Sequence, residues 1–144
     1  MVYEIQDKNK KIDYITYKDE ICEFVVDASL YLNNLGIKNI QEINGLENIK
    51  RLKRLELSEN QINEIEGLKH LKDLEVLWLS GNNISEIENL EYHRNLKFLN
   101  LDGNNITEIK NLESLRNLEV LGLSLNNVLA VYEITKNYDF LSNL

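Results

Sequence analysis

The sequence predicts a solenoid, a fold in which short strand-and-turn units stack into one continuous coil. Leucine and asparagine account for 25 and 21 of the 144 residues, and such a bias is typical of a repeat. The apolar positions recur every 22 residues through four copies without a gap. A unit of this length cannot bury its own apolar face, so neighbouring units must stack to share a core.

Each unit is predicted to begin with a short strand. Leucines alternate with other residues at the start of every unit, and a period of two is that of a strand with one face against a core. Because every unit runs in the same direction, the stacked strands are predicted to form a parallel sheet. Two leucine columns define these strands: Leu55, Leu77, Leu99 and Leu121, followed by Leu57, Leu79, Leu101 and Leu123.

The second half of each unit is predicted to form tight turns. After the strand, the apolar residues Ile62, Ile65, Leu68 and Leu71 are three positions apart. This spacing fits 3₁₀-like turns, in which residues i and i+3 eclipse, better than it fits an α-helix. The turns are therefore expected to cover the side of the coil opposite the sheet.

An asparagine follows each strand, at Asn60, Asn82, Asn104 and Asn126. Where the chain turns the corner, backbone groups lose their sheet partners, and buried ones need others. The Asn amide offers both a donor and an acceptor. We interpret these residues as a structural ladder of hydrogen bonds between neighbouring turns and not as a ligand site.

The repeat resembles a leucine-rich repeat, as one unit illustrates: Leu74-x-x-Leu77-x-Leu79-x-x-Asn82-x-Ile84-x-x-Ile87-x-x-Leu90. Its length is similar to that of the subclass found in a protein phosphatase regulatory subunit and in bacterial internalins. The resemblance covers roughly residues 26–130. It implies an α/β leucine-rich-repeat solenoid with a curved parallel sheet on the concave face, 3₁₀ or short helical turns on the convex face, and caps at both ends. In that family the concave sheet usually binds another protein.

The ends of the chain depart from the repeat. We predict an N-terminal cap at residues 1–29, about five repeats at residues 30–128, and a C-terminal segment at residues 129–144. The first repeat is 25 residues long and has Leu35 where the asparagine belongs. The N-terminal cap is predicted to contain a hairpin between residues 3–5 and 12–17, or a strand leading to a helix at residues 18–27. The C-terminal segment is predicted to be a helical cap or a further repeat cut short.

Motifs for catalysis are missing from the sequence, which has no phosphate-binding loop and no Gly-x-Ser-x-Gly elbow. We therefore predict neither an enzyme nor a cofactor. Cys22, the single cysteine, is expected to be a small buried hydrophobe in the cap. His93 occupies the position held by Leu71 and Leu115 in other repeats, and we interpret it as a packing variant. No metal site is expected, because no second histidine or cysteine is near it in the repeat register.

The charge and hydropathy of the chain exclude other classes. A net charge of −8 argues against sequence-independent nucleic-acid binding, which requires neutralisation of phosphates. No apolar stretch approaches the roughly 18 residues of a membrane span. The N-terminus lacks the basic start and apolar run of a signal peptide, so we expect a cytoplasmic protein.

Glutamates also recur every 22 residues, at Glu42, Glu64, Glu86 and Glu108. Stacked repeats would place these carboxylates in a column at about 4.8 Å intervals. We expect an exposed acidic column whose members repel one another, so that neutralising Glu86 stabilises the protein slightly at low salt.

The side chains that alternate with the strand leucines are predicted to point outward from the concave sheet. They bring together the single tryptophan with other aromatic and charged residues, and Trp, Tyr and Arg are enriched among the residues that dominate binding energy. We predict a monomeric, non-catalytic module that binds another protein here. The alternative is a structural or scaffolding segment that self-associates or forms part of a larger array. The predicted partner-binding residues are Tyr31, Arg54, Glu56, Val76, Trp78, Phe98, Asn100, Asp102 and Val120.

Overall fold

The computed structural model describes residues 14–17, 20–24, 28–49 and 51–131. Two 3₁₀ helices, Ile40–Glu42 and Leu46–Asn48, are the only helices among these residues. The strands are β1 (Tyr14–Tyr17), β2 (Glu20–Phe24), β3 (Ser29–Tyr31), β4 (Arg54–Glu56), β5 (Val76–Trp78), β6 (Phe98–Asn100), β7 (Glu108–Ile109), β8 (Val120–Gly122) and β9 (Ala130–Val131).

Five parallel strands, one from each repeat, form the main sheet in the order β3–β4–β5–β6–β8. The core leucines of neighbouring strands are in register, so Leu77 pairs with Leu55 on one side and Leu99 on the other. Further backbone bonds continue the ladder past the strand ends, as where Leu79 N donates to Asn100 O at 2.8 Å. The predicted parallel solenoid is confirmed, and the 25-residue first repeat pairs Leu30 with Leu55.

The core lies between this sheet and the turns and consists of leucine and isoleucine columns. Leu55, Leu57, Leu77 and Leu79 have no exposed surface. The isoleucines of the turns are equally covered, as at Ile62 and its equivalents. Burying such a side chain completely contributes about 1.5–3 kcal/mol, so the stacked columns are the main source of stability.

The turn side carries the predicted spacing of three as hydrogen bonds. Leu71 N donates to Leu68 O at 2.8 Å, and Leu74 N donates to Leu71 O at 3.2 Å. The same pair of i to i+3 bonds recurs one repeat later around His93. Complete 3₁₀ helices occur only in the first repeat, where Asn39 Oδ1 caps the first helix by accepting from Gln41 N at 2.7 Å.

Two positions in each repeat take the left-handed backbone conformation, which residues other than glycine and asparagine rarely adopt. One comes directly before the ladder asparagine and has φ between 57° and 64°. Glycine occupies it in two central repeats. The two sets are Glu59, Gly81, Gly103 and Leu125, and Gly45, Gly67, Asn89 and Asn111.

The ladder asparagines link consecutive repeats at the corner after each strand. Asn82 Oδ1 accepts from Ile62 N at 3.0 Å, and its Nδ2 donates to Leu57 O and Leu79 O, both at 3.0 Å. The carbonyls belong to two different repeats, so one amide fastens both. Asn60, Asn104 and Asn126 make equivalent bonds.

The ends differ in part from the sequence expectation. β1 and β2 form an antiparallel hairpin, so the strand Glu20–Phe24, which includes Cys22, replaces the alternative of a helix at residues 18–27. Residues 3–5 lie outside the described residues. At the other end, β9 pairs in parallel with β7 on the turn side, 22 residues earlier. The repeat register therefore continues past residue 128 to Val131, and the helical cap predicted beyond it lies outside the described residues.

Candidate functional site on the concave face

The outer face of the five-stranded sheet, which we call the concave face, carries three columns of side chains. They alternate with the buried leucines, as the pattern of β5 shows: Leu77 is fully buried while Trp78 is 39% exposed. In strand order the columns are Ser29, Arg54, Val76, Phe98 and Val120; Tyr31, Glu56, Trp78, Asn100 and Gly122; and Asn33, Ser58, Ser80, Asp102 and Ser124.

Four apolar side chains from β5, β6 and β8 lie together on this face and form what we call the apolar stripe: Val76, Trp78, Phe98 and Val120. Val76 pairs with Phe98, and Phe98 with Val120, across the sheet. Phe98 is 38% exposed and Val120 is 49% exposed. Each therefore keeps a large apolar surface in contact with water.

Beside the apolar stripe, Arg54 is held in place by its neighbours. Its Nη1 donates to Glu56 Oε1 at 3.3 Å, and its guanidinium carbon lies 5.8 Å from the centre of the Trp78 ring. Glu56 also accepts from Asn33 Nδ2 at 3.2 Å. As a result Glu56 lies on the predicted face but is only 8% exposed, whereas Tyr31, on the next strand, is 46% exposed.

The opposite corner of the face is polar and consists of Asn100, Asp102 and Gly122. A Cβ atom on Gly122 would lie 2.9 Å from Asp102 Oδ1 and 3.2 Å from Asn100 Cγ. The two side chains therefore lie over the backbone of β8. Asp102 Oδ1 accepts from Ser124 N at 2.7 Å, and Asn100 Oδ1 accepts from Asp102 N at 2.8 Å.

A row of opposite charges borders the face where the strands begin. Glu75 accepts from Lys53 at 2.8 Å and from Lys97 at 2.9 Å. These two lysines lower the pKa of Glu75 to about 2. The sequence analysis missed this row, although Lys53, Glu75, Lys97 and Glu119 follow the 22-residue period and alternate in sign.

The two histidines face the turn side and not the concave face. His93 is fully buried, and its Nε2 lies 3.0 Å from Leu68 O. Because a carbonyl can only accept, Nε2 carries the hydrogen, and Nδ1 is left buried without a partner. Burial lowers the pKa of His93. Within the described ranges, no group of three or more His, Cys, Asp or Glu side chains is placed to hold a metal ion.

The glutamate column differs from its expectation. Lys110 Nζ lies 3.2 Å from Glu86 Oε2 and 3.1 Å from Glu108 Oε2, so two of the carboxylates share a cation. Because these carboxylates attract Lys110, the expected mutual repulsion is wrong for this pair. The column lies outside the concave face.

The family description "Leucine Rich repeats (2 copies)" matches residues 50–92. No curated protein is significantly similar to the sequence. Of the part of the chain that the structure describes, no helix is long and apolar enough to cross a bilayer.

Solved structures share the fold. An internalin (InlF) from Listeria monocytogenes is 27% identical, with a TM-score of 0.58 over 72% of this chain and 33% of that one. The functional domain of InlJ from the same organism is 23% identical, with a TM-score of 0.61 over 76% of this chain and 22% of that one. Pollen Receptor Kinase 3 is 24% identical, with a TM-score of 0.58 over 77% of this chain and 57% of that one.

The chain thus spans between 22% and 57% of the length of these three proteins. The matched family description, the 22-residue period and the shared fold agree with one another. The repeats of this chain are therefore leucine-rich repeats, and they form a leucine-rich-repeat solenoid of the kind found in internalins.

Proposed function

We propose that this protein is a non-catalytic module that binds another protein through its concave face. The leucine-rich-repeat fold and its internalin and receptor-kinase neighbours support a role in protein–protein interaction in general. The partner and the use of the concave face belong to the proposal.

The apolar stripe is the observation that carries the proposal. Exposed apolar side chains grouped on one surface and bordered by polar residues are characteristic of interaction sites. Trp78, Phe98 and Val120 are each more than a third exposed. Because the leucines between them already fill the core, the fold does not need large apolar residues at these positions.

Arg54 supports the same surface. Its guanidinium is fixed between Glu56 and the Trp78 ring before any partner arrives. A side chain that is already ordered loses less conformational entropy on binding, which favours affinity. Arg and Trp are also the residue types most enriched at binding hot spots.

The experiment compares Trp78→Ala with Tyr92→Ala in a pull-down from native extract, followed by titration of the partner. Tyr92 is also an exposed aromatic, at 50%, but lies on the turn side. Trp78→Ala is expected to weaken binding by about 2 kcal/mol or more, and Tyr92→Ala to leave it unchanged. Equal loss in both variants, or in neither, would contradict binding at the concave face.

Self-association is the second candidate, and two leucines favour it. Leu125 and Leu129, in the last described repeat, are 88% and 85% exposed. The equivalent positions of the preceding repeat are Gly103 and Thr107. Light scattering across a range of concentrations tests this function: a mass that rises with concentration in wild type but not in Leu129→Ser would favour the scaffolding role.

The cytoplasmic location and the monomeric state also remain predictions. The net charge of −8 supports the absence of a nucleic-acid partner. Fractionation of the native cell, with the protein detected by antibody, tests the location.

A further inference from the structure

The apolar stripe ends beside a carboxylate whose charge the fold does not use. Asp102 lies four residues beyond Phe98 on the same strand direction, about 13 Å away along the chain. Between Val120 and Ser124 on the next strand stands Gly122, which has no side chain. No bulky group of β8 therefore separates the apolar stripe from Asp102.

The hydrogen bond of Asp102 does not require a negative charge. Asp102 Oδ1 accepts from Ser124 N at 2.7 Å. Asn33, in the same column of the first repeat, makes the same kind of bond by accepting from Ser58 N at 2.8 Å. A neutral amide thus performs this structural role elsewhere in the solenoid, and the charge of Asp102 is additional to it.

Asp102 is also uncompensated, unlike other carboxylates near the face. Glu56 is paired with Arg54, and Glu75 with two lysines. Among the described residues, Asp102 has no ion pair and its Oδ2 has no hydrogen-bond partner. It is half-buried, so part of its hydration is already replaced by protein, and a cation would interact with it more strongly than with a fully exposed carboxylate.

We propose that Asp102 binds a lysine or arginine side chain of the partner, next to the apolar group that the partner places on Trp78 and Phe98. The alkyl part of such a side chain packs on Val120 and over Gly122 while its charged end reaches the carboxylate, as long basic side chains commonly do. This inference rests on the proposed function and specifies the partner: a segment that combines an apolar anchor with a basic residue.

The test selects ligands from a displayed library of random dodecapeptides on immobilised wild type, Trp78→Ala, Asp102→Asn and Glu64→Gln. Glu64→Gln is the matched control, because it removes one exposed carboxylate outside the concave face. Wild type and Glu64→Gln are expected to select peptides with an aromatic or aliphatic residue near a lysine or arginine. Asp102→Asn is expected to retain the apolar preference and lose the basic one.

The best wild-type peptide is then synthesised, together with a version in which its basic residue is glutamine. Asp102→Asn is expected to bind the basic peptide at least about tenfold more weakly and the glutamine peptide with unchanged affinity. The melting temperature of Asp102→Asn should match that of wild type, as the bond of Asn33 indicates.

The outcomes separate the two proposals. If Asp102→Asn selects the same basic peptides with the same affinity, the assignment of Asp102 is wrong while binding at the apolar stripe stands. If no library peptide depends on Trp78, the proposed function fails, and the role of Asp102 fails with it.

Discussion

The interior of the solenoid and its concave face obey different rules of repetition. In the interior, each column holds the same type of residue through the repeats, as at Leu55 and its equivalents. On the concave face, the column that contains Trp78 holds a different residue in every strand. Both sets lie on the same strands and share the same backbone. The difference shows that packing fixes the interior, whereas the fold leaves the concave face free for another purpose.

His93 is the exception that refines this comparison. It stands in an interior column whose other members are Ile49, Leu71 and Leu115, and it is fully buried. It keeps one hydrogen bond, to Leu68 O, and leaves Nδ1 unpaired. A departure from the repeat in the interior therefore lowers the quality of packing, while departures on the concave face leave the core intact.

The largest expected effect is the difference between neighbouring residues on β5 and just after it. Leu79→Ala should lower the free energy of unfolding by about 2–5 kcal/mol, because it leaves a cavity in the core. Trp78→Ala should lower it far less, since the ring lies on the concave face. Denaturant unfolding of both variants measures this. A Trp78→Ala loss as large as that of Leu79→Ala would contradict the division into interior and face.

The asparagine ladder should respond next in size. Asn82→Leu should lower the free energy of unfolding by about 1–3 kcal/mol, because buried backbone groups of two repeats lose their partner. Asn126→Leu is the control: Asn126 makes similar bonds but is less buried, so its loss should be smaller. Equal midpoints for wild type and Asn82→Leu would show that water or other groups satisfy the corner.

His93→Leu should restore the interior column and change the dependence of stability on pH. Burial lowers the pKa of His93 in the folded protein, whereas the unfolded chain binds a proton near pH 6.5. As the pH falls below about 6.5, the unfolded state takes up a proton that the folded state refuses, and the wild type loses stability. The loss amounts to at most about 1.4 kcal/mol per pH unit for one proton, and it stops below the folded pKa.

Thermal unfolding of wild type and His93→Leu between pH 7.5 and 5 provides the measurement. The leucine variant should be at least as stable at pH 7, since Leu68 O still accepts from Leu71 N at 2.8 Å. Its advantage should grow toward pH 5. Glu91 favours protonation of His93 and His70 opposes it, so both residues remain unchanged in the comparison. Parallel pH curves for the two proteins would show that His93 titrates normally and is not buried.

The sequence alone predicts the features that packing imposes on each repeat. The leucine strands, the turns spaced by three and the ladder asparagines all follow from periodic apolar positions and from the need to satisfy corner backbone groups. Residues 18–27 could not be assigned in this way, because Ile21, Cys22 and Phe24 fit a strand or a short helix equally well. Only pairing with β1 decides between them.

Side-chain partners across repeats were harder to predict than the fold. The alternation places Glu56 on the concave face, but its burial depends on Asn33 and Arg54, which reach it from the side. The spacing of the glutamates likewise gives no sign that Lys110 lies between two of them. Such contacts depend on side-chain rotamers, which a period in the sequence does not encode.

The smallest expected effect concerns this shared lysine. Removing the charge in Glu86→Gln deprives Lys110 of one of its two carboxylates and should lower the melting temperature slightly at low salt. The difference should disappear near 1 M salt, where the screening length falls to about 3 Å. Glu64→Gln is the matched control, because Glu64 has no ion pair among the described residues and its neutralisation should cause no loss. If Glu86→Gln instead raises the melting temperature at low salt, the carboxylates of the column repel one another more than Lys110 holds them together.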